Sequence, residues 1–572
     1  MADGQTVNEM KETINRIFTI LSKKEKNKII YLIILMVVGG FLELLGVAGI
    51  FPLISAITSG KVRDISSIVY LAAALLIIYV VKNLFLVFMY NSIYKFVFDG
   101  RSKLATRLFE VYMREPYAFH LNRNVAIIQR AVRSDVDGFY HLVRSLLQLL
   151  SELIICFVLA CLLVYTDLYM ALFLMAMLAV CVGTVVILSK KKVKRLGSED
   201  MEYNGKMNQW LMQGIGGIKE VRLLGTEKYF VDSFGEYSDK SSVNQRKQQV
   251  LVQIPRLLTE TVSICAVLLW IVIAALNNID LLAAIPTLAV FAVAAFRLLP
   301  SVGKINGLLT EYHFYRPRAD FIFEDLSGVE KKSGCNKNGE DTVNINEKLS
   351  FKEKIELRDI TFRYEGTNKD ILRDVSFEIK KGESVGIIGP SGEGKTTLVD
   401  VIMGLLSSTN GDILVDGKSI YENVDAWYRC IGYVPQSIYL SDDSIKRNIA
   451  FGIPDSDIDD ARIEQVVEEA RLSELINGLP DGADTIIGDR GIRLSGGQRQ
   501  RIGIARALYF QPEVLILDEA TSSLDNDTEA AVMEAIEALH GKVTMLVVAH
   551  RLTTIEKCDM VYKVSGGSVT AN

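Results

Sequence analysis

The chain has 572 residues and a mass of 63.7 kDa, more than one ordinary domain of roughly 100–200 residues holds. Hydrophobic residues make up 49% and charged residues 23%, with a mean hydropathy of +0.24; a positive average at this size points to membrane spans. The 63 basic and 68 acidic side chains leave a formal charge of −5, which argues against a wholly basic nucleic-acid binder, and the 11 prolines exclude collagen-like and low-complexity classes. None of the seven cysteines forms a C-x-x-C pair, so neither a disulfide framework nor a zinc site is expected. The first residues are polar and carry no small-residue cleavage site, so no removable signal peptide is expected.

Up to about residue 330, long apolar runs alternate with charged stretches. Because a span needs about 20 mostly apolar residues, six candidates emerge: 28–57, 67–92, 142–166, 169–189, 257–277 and 281–300. Helix-compatible stretches lie between the second and third and between the fourth and fifth. Pro116 marks a bend in the first stretch and Pro255 the end of the second, and both read as cytoplasmic extensions of the spans. The charges agree. Lys23, Lys24, Lys26 and Lys28 precede the first span, Lys95, Arg101 and Lys103 follow the second, and Lys190, Lys191, Lys192, Lys194 and Arg195 follow the fourth. The opposite connections are short and weakly charged, so the positive-inside rule puts both termini in the cytoplasm. A soluble helical bundle does not explain spans this long with so regular a bias. Residues 1–328 are thus expected to form an all-α membrane domain of six spans and 329–352 a solvated linker. Residues 353–572, where short β-rich runs alternate with helical ones, are expected to form an α/β nucleotide-binding domain.

Gly389-Pro390-Ser391-Gly392-Glu393-Gly394-Lys395-Thr396 follows the apolar strand Val385–Ile388 and fits the phosphate-binding pattern G-x-x-x-x-G-K-[ST]. Glycines let backbone N–H groups wrap phosphates, Lys395 adds a point charge, and the Thr396 hydroxyl is a Mg²⁺ ligand. A helix opening at Lys395 points its positive end at the same place. Val514–Asp518 reads as a buried strand ending in Asp518, suited to a Mg²⁺ contact, and Glu519, suited to polarising an attacking water. Taken alone that strand is ordinary; what stands before it gives it weight. Leu494-Ser495-Gly496-Gly497-Gln498 opens another helix about 20 residues upstream.

With that run the sequence resembles the ATP-binding-cassette proteins, whose signature motif it matches. The resemblance implies further roles: Tyr364 and Thr397 in the nucleotide site, Gln436 in the loop that senses metal and water, Asp525 in Ser522-Ser523-Leu524-Asp525, and His550 as the residue that meets the γ-phosphate. It implies ATP and Mg²⁺ as cofactors and Glu519, His550 and Gln436 as catalytic, with Thr396, Gln436 and Asp518 around the metal. It also implies that Ser495, Gly496, Gly497 and Gln498 complete the site of a facing domain. One such domain and six spans make half a transporter of the exporter type, so a homodimer is expected in the bacterial inner membrane. The runs Tyr112–Asn124 and Gln213–Glu227 match the places of coupling helices; the alternative is plain solvated bends.

Charges inside spans cost about 2.5–3.5 kcal/mol each and so mark function. The basic ones are Lys82, Arg256 and Arg297, and the acidic ones Glu43, Glu152 and Glu260. Helical rise puts the three cations roughly 22–30 Å from the outer face, which allows a single cationic ring. Two alternatives stay open: Arg256 and Glu260, at i and i+4, neutralise each other, or the basic groups sit at the inner interface. Ser22–Asn27, Ile254-Pro255-Arg256 and Phe296–Ser301 are similar to the flippases of lipid-linked oligosaccharides in bacterial protein N-glycosylation. That likeness implies a pyrophosphate-linked sugar as cargo. Lys82 stands where an Arg is expected, and Gly60–Ser66 is too short for the extra external helix of those flippases. A drug or lipid exporter of the same fold, and an ATP-gated regulator that transports nothing, are the other two classes.

Overall fold

The computed structural model describes residues 2–50, 65–166, 168–276, 285–332, 348–488, 491–519, 526–549 and 555–572. Several side chains between 166 and 188 and most between 256 and 299 lie outside that description. The chain divides into two units: Met1–Glu115 with Phe119–Lys337, and Pro116–Ala118 with Asn338–Asn572.

In its described residues the first unit is helical. Helix α1 spans Ala2–Ile20 and α2 Lys23–Ala48. Ser22 caps α2: its hydroxyl accepts from the Glu25 N–H, and the Glu25 carboxylate accepts from the Ser22 N–H. Then come α3 (Ile65–Arg114), the short α4 (Tyr117–Leu121) and α5 (Val125–Arg130), and α6 (Val136–Thr166). After them stand α7 (Leu168–Gly216), the short α8 (Ile218–Leu224), α9 (Glu227–Leu276) and α10 (Ile285–Lys332). At about 1.5 Å per residue, the 50 residues of α3 measure roughly 75 Å, over twice the ~30 Å of hydrocarbon. Such a helix must leave the membrane, as the charged ends of α3, α7 and α9 imply. Among the described residues, Lys23–Ala48, Ile68–Arg114 and Val125–Tyr165 are long and apolar enough to cross.

Two expectations need correcting. Pro255 does not end a stretch; α9 runs through it without a break, as do α10 through Pro300 and Pro317. Neighbouring helices support a helix interior whose local hydrogen bond is lost, so proline alone is a poor stop signal here. The first apolar run, taken as 28–57, belongs to a helix that ends at Ala48; residues 51–57 lie outside the described residues.

Helix α10 packs along α6, α7 and α9, and α2 lies against α3 and α6. A Cβ on Gly197 of α7 would stand 2.1 Å from the Phe314 carbonyl oxygen, so only glycine allows that approach to α10. Just beyond it, buried Asp200 takes Arg318 Nη2 at 2.7 Å and the Ser241 hydroxyl at 2.7 Å, tying α7, α9 and α10 together. The two runs matched to coupling helices hold α4 and α8. Arg123 and the Tyr112 hydroxyl both reach Asp325, which ties the residues before and after α4 to α10. Burial and Asp325 push the Tyr112 phenol well above its ordinary range. Gly225, at φ 64°, caps α8 in the left-handed region.

The second unit carries two sheets. Strands β1 (Lys354–Phe362), β2 (Leu372–Lys380), β4 (Asn410–Val415) and β5 (Lys418–Ser419) form an antiparallel sheet in the order β2-β1-β4-β5. The other is ordered β10-β9-β3-β8-β7-β6, from β3 (Ser384–Ile388), β6 (Ile431–Val434), β7 (Val514–Asp518), β8 (Thr544–Val548), β9 (Met560–Ser565) and β10 (Ser568–Ala571). Of its five pairings, the four from β9 to β6 are parallel and the β9–β10 edge is antiparallel. Every residue of β7 and β8 is buried, the continuous apolar run of a strand covered on both faces. Three helices matter for the site: α11 (Lys395–Ile402), α12 (Gly496–Tyr509) and α13 (Asn526–Glu537).

Candidate functional site: a phosphate cradle and a membrane cavity

Parallel pairing fixes which chain ends meet. Ile387 pairs with Val548, Asp518 with Val548, and Val434 with Leu517. The carboxyl ends of β3, β6, β7 and β8 therefore stand on one edge, the side on which open α/β sheets bind ligands. From that edge run the glycine loop 389–394, Pro435-Gln436, and Asp518-Glu519.

The loop's conformation needs its glycines. Gly389 has φ 154°, and a Cβ there would lie 2.3 Å from the Val564 carbonyl oxygen; Gly394 has φ 101°. The loop delivers α11, whose first residue Lys395 is buried and donates to the carbonyls of Gly389 and Pro390 at 2.9 and 3.0 Å. Ser391, Gly392 and Thr396 are exposed on the same turn, while Thr397 is buried, with its hydroxyl 3.1 Å from that of Tyr364. Backbone N–H groups at a helix start, one ammonium and exposed hydroxyls form a cradle for polyphosphate.

Across the edge, Gln436 Nε2 donates to Glu519 Oε2 at 2.7 Å. Glu519 sits at φ 49°, and its N–H donates to the Val548 carbonyl at 3.0 Å, which turns the chain sharply out of β7. Asp518 is buried, and the Tyr433 hydroxyl donates to its Oδ2 at 3.4 Å. Two residues here escaped sequence reasoning. Burial, then the nearby Asp518, raises the Asp400 carboxyl on α11 to about 6. Burial, then Asp518, pushes the Tyr433 phenol above its usual range. The signal for Asp400 was present: it is the acid in the otherwise apolar Leu398–Ile402, four residues after Thr396.

Ser495 is the N-cap of α12: its hydroxyl accepts from the Gln498 N–H at 3.3 Å, and Gln498 Oε1 accepts from the Ser495 N–H at 2.8 Å. Gly496 and Gly497 form the helix's first turn. Asp525 precedes α13 and His550 follows β8; both lie outside the described residues.

The first unit holds a cavity of about 850 Å³, lined by side chains of α3, α6, α9 and α10. Of the three cations picked from the sequence, Lys82 is not among its described lining. Lys82 is 1% exposed, 3.2 Å from Glu43 Oε2 and 4.3 Å from the centre of the Tyr79 ring. A charge so deeply buried between α2 and α3 is held by its counter-charge, so Lys82 adds no open cation to a ring. Arg256 lies on α9 and Arg297 on α10, and their side chains are outside the described residues. Glu152, by contrast, does line the cavity, with Lys304 Nζ at 3.0 Å.

Two family models match the chain: the ABC transporter transmembrane region over residues 29–296 and ABC transporter over 372–522. The ATP-dependent lipid A-core flippase of Ralstonia nicotianae is 31% identical over 477 residues, covering 82% of this chain and 78% of the flippase. The protein of that name from Cupriavidus metallidurans is 30% identical over 471 residues, covering 82% and 77%. A bacterial Atm1-family ABC exporter solved with ATP bound shares the fold, with a TM-score of 0.77 at 20% identity over 96% of this chain and 95% of that one. The fold and the phosphate cradle thus define an exporter-type half-transporter, a membrane domain fused to an ATPase. The chain belongs to the ABC transporter family, and its ATP hydrolysis is coupled to transport. The relatives named here are lipid A-core flippases, so they do not carry the narrower likeness to the flippases of protein glycosylation.

The Lys82–Glu43 pair yields a stability forecast distinct from a cargo role. Lys82→Gln should lower the melting temperature in detergent, at a cost of about 3–5 kcal/mol for breaking one side of a buried pair. Adding Glu43→Gln should restore most of it. Unchanged melting with lost transport would return Lys82 to the cargo path.

Proposed function

We propose that the chain is half of a homodimeric, ATP-driven translocase that moves an amphipathic, sugar-bearing lipid across the bacterial inner membrane, with both termini and the ATPase domain cytoplasmic. The observation that carries this reading is one cassette and one membrane half in a single chain, with a phosphate cradle at Gly389–Lys395 and a signature turn at Ser495–Gln498. In the family it resembles, that turn serves the facing domain, so one copy supplies half of each site. The names of the relatives, lipid A-core flippases, support a lipid as cargo.

Within the ATP site, Gly389, Ser391, Gly392, Gly394, Lys395, Thr396 and Thr397 hold the phosphates, and Tyr364 meets the base. Thr396, Gln436 and Asp518 present the hard oxygen donors that Mg²⁺ prefers. A Mg²⁺ held by these residues would supply positive charge to offset that of the phosphates. Glu519 accepts the proton of the attacking water, oriented by Gln436; His550 meets the γ-phosphate; Asp525 joins the two sites. Binding of ATP by both copies favours the closed state, and hydrolysis releases it.

In its narrowest form the cargo is a pyrophosphate-linked oligosaccharide, with Arg256 and Arg297 gripping phosphate oxygens in the bidentate manner open to guanidinium. A general lipid or drug exporter is the second reading. It is favoured by the burial of Lys82 against Glu43, which removes one member of the cationic ring.

Glu519→Gln should retain ATP binding and slow hydrolysis by at least ~10²-fold, the scale of a lost positioned base. Turnover near wild type would take that role from Glu519. The homodimer is checked by mixing Lys395→Ala chains with Ser495→Arg chains: a mixed dimer carries both lesions in one site and leaves the other whole. Activity recovered on mixing supports the pairing, and ATP hydrolysis by purified monomers refutes it. Finally, the Arg256→Gln/Arg297→Gln double variant should lose most movement of a fluorescent pyrophosphate-linked sugar lipid in proteoliposomes. Full movement would leave the general exporter as the better description.

A further inference from the structure

The turn between β9 and β10 is two residues long. Ser565 pairs with Ser568, and between them Gly566 and Gly567 stand at φ 59° and 84°. Both values lie in the left-handed region, the geometry of a tight hairpin turn for which Gly-Gly is suited. Backbone N–H and carbonyl groups seek partners, and here the turn finds them outside its own hairpin. The Gly567 carbonyl accepts from the Arg373 N–H of β2 at 2.8 Å. The Gly566 N–H donates to Glu393 Oε2 in the glycine loop. The contacts are close. A Cβ on Gly567 would lie 2.6 Å from the Ile371 carbonyl oxygen, and one on Gly394 3.2 Å from Ile371 Cγ2. The loop's first residue, Gly389, already stands against the Val564 carbonyl of β9. The loop is thus fixed at Gly389 and again at Glu393 to one strand and the turn that follows it.

We propose that Glu393 is a positioning residue for ATP: by holding the Gly566 N–H it braces the glycine loop against the β9–β10 turn and so sets the affinity for nucleotide. The inference rests on the reading of Gly389–Thr396 as the phosphate cradle and adds a residue that acts through the loop. A carboxylate within a loop that wraps polyphosphate stands against electrostatics, since like charges repel. The hydrogen bond to Gly566 turns this one toward the hairpin, and a charge-assisted bond of that kind is about twice as strong as a neutral one. The loop also needs a brace. Gly389, Gly392 and Gly394 all have positive φ, and glycines have the most backbone freedom to lose when a loop is ordered. A loop fixed before the ligand arrives does not lose that freedom on binding, which raises affinity. Gln436 and Glu519 follow other strands, so the effect falls on binding and not on the chemical step.

The test uses the full-length protein in nanodiscs and two conservative variants. Glu393→Asp keeps the charge and shortens the reach by a methylene; Glu393→Gln keeps the reach and an acceptor oxygen and loses the charge. Equilibrium binding of trinitrophenyl-ATP is measured beside KM and kcat for ATP. Glu393→Asp should raise Kd and KM about tenfold, the scale of one hydrogen bond to a charged group. Its kcat should stay within about twofold of wild type, the pattern of lost binding without lost chemistry. Glu393→Gln, with a weaker bond still in place, should bind within about threefold of wild type. Without nucleotide, the Gly566 amide should exchange its hydrogen faster in Glu393→Asp than in wild type or Glu393→Gln. Unchanged affinity and exchange in Glu393→Asp overturn the brace. So do tighter binding by Glu393→Gln, which would make the carboxylate a mere repulsive charge, and a loss confined to kcat. Lys395→Ala keeps the two ideas apart. If it loses binding while Glu393→Asp does not, only the brace falls; if it binds nucleotide as wild type does, the cradle reading falls and the brace with it.

Discussion

The parallel register of β3, β8, β7 and β6 is what the chemistry of the second unit depends on. Parallel strands all end on one side, so a residue one step past each strand is brought beside its neighbours however far apart the sequence places them. Glu519 and Gln436 are 83 residues apart and meet at 2.7 Å because Val434 pairs with Leu517. The glycine loop joins them because Ile387 pairs with Val548, which also pairs with Asp518. A slip of one residue would exchange the two buried faces of β7 and β8 and carry Asp518 and Glu519 out of line with the neighbouring strand ends.

In the membrane half the governing constraint is the cost of an unpaired charge in hydrocarbon. Two described pairs there join helices: Lys82 with Glu43 ties α3 to α2, and Lys304 with Glu152 ties α10 to α6. Further along the helices, Asp200 collects Arg318 and Ser241. Each pair fixes the rotation of one helix against another, because a turned helix would strand its charge. Close backbone approach, as of Gly197 to the Phe314 carbonyl, sets the distance between helices while the pairs set the facing.

How much of this the sequence discloses follows from how local each determinant is. The cradle is legible because Gly389 to Thr396 are contiguous and each position answers one local need: a φ that only glycine adopts easily, a helix start, a cation. The cap at Ser495 and Gln498 is legible for the same reason, since both partners lie within one turn. Lys82 and Glu43 are 39 residues apart on different helices, so the sequence presents them as two intramembrane charges and leaves their pairing unstated. Pro255 misleads because proline's local cost is met by neighbouring helices that no short window contains. Asp400 is visible as an acid in an apolar helix, but its shift depends on Asp518, which arrives through sheet pairing 118 residues later.

The same distinction bears on why the two halves of a transporter differ in what they disclose. Phosphate geometry is common to every nucleotide, so a cradle for it is written in a short run that recurs wherever the chemistry does. A cargo has no fixed shape, and its site is assembled from single residues on four helices, each of which is also packing against a neighbour. Tyr94, Ser151 and Gln253 are unremarkable in their own segments. They acquire meaning only when α3, α6 and α9 bring them around one cavity, which two stacked phenols, a serine and a carboxamide line together. Specificity in such a site resides in which polar groups are left unsatisfied by the protein itself, because those are the groups a ligand must meet.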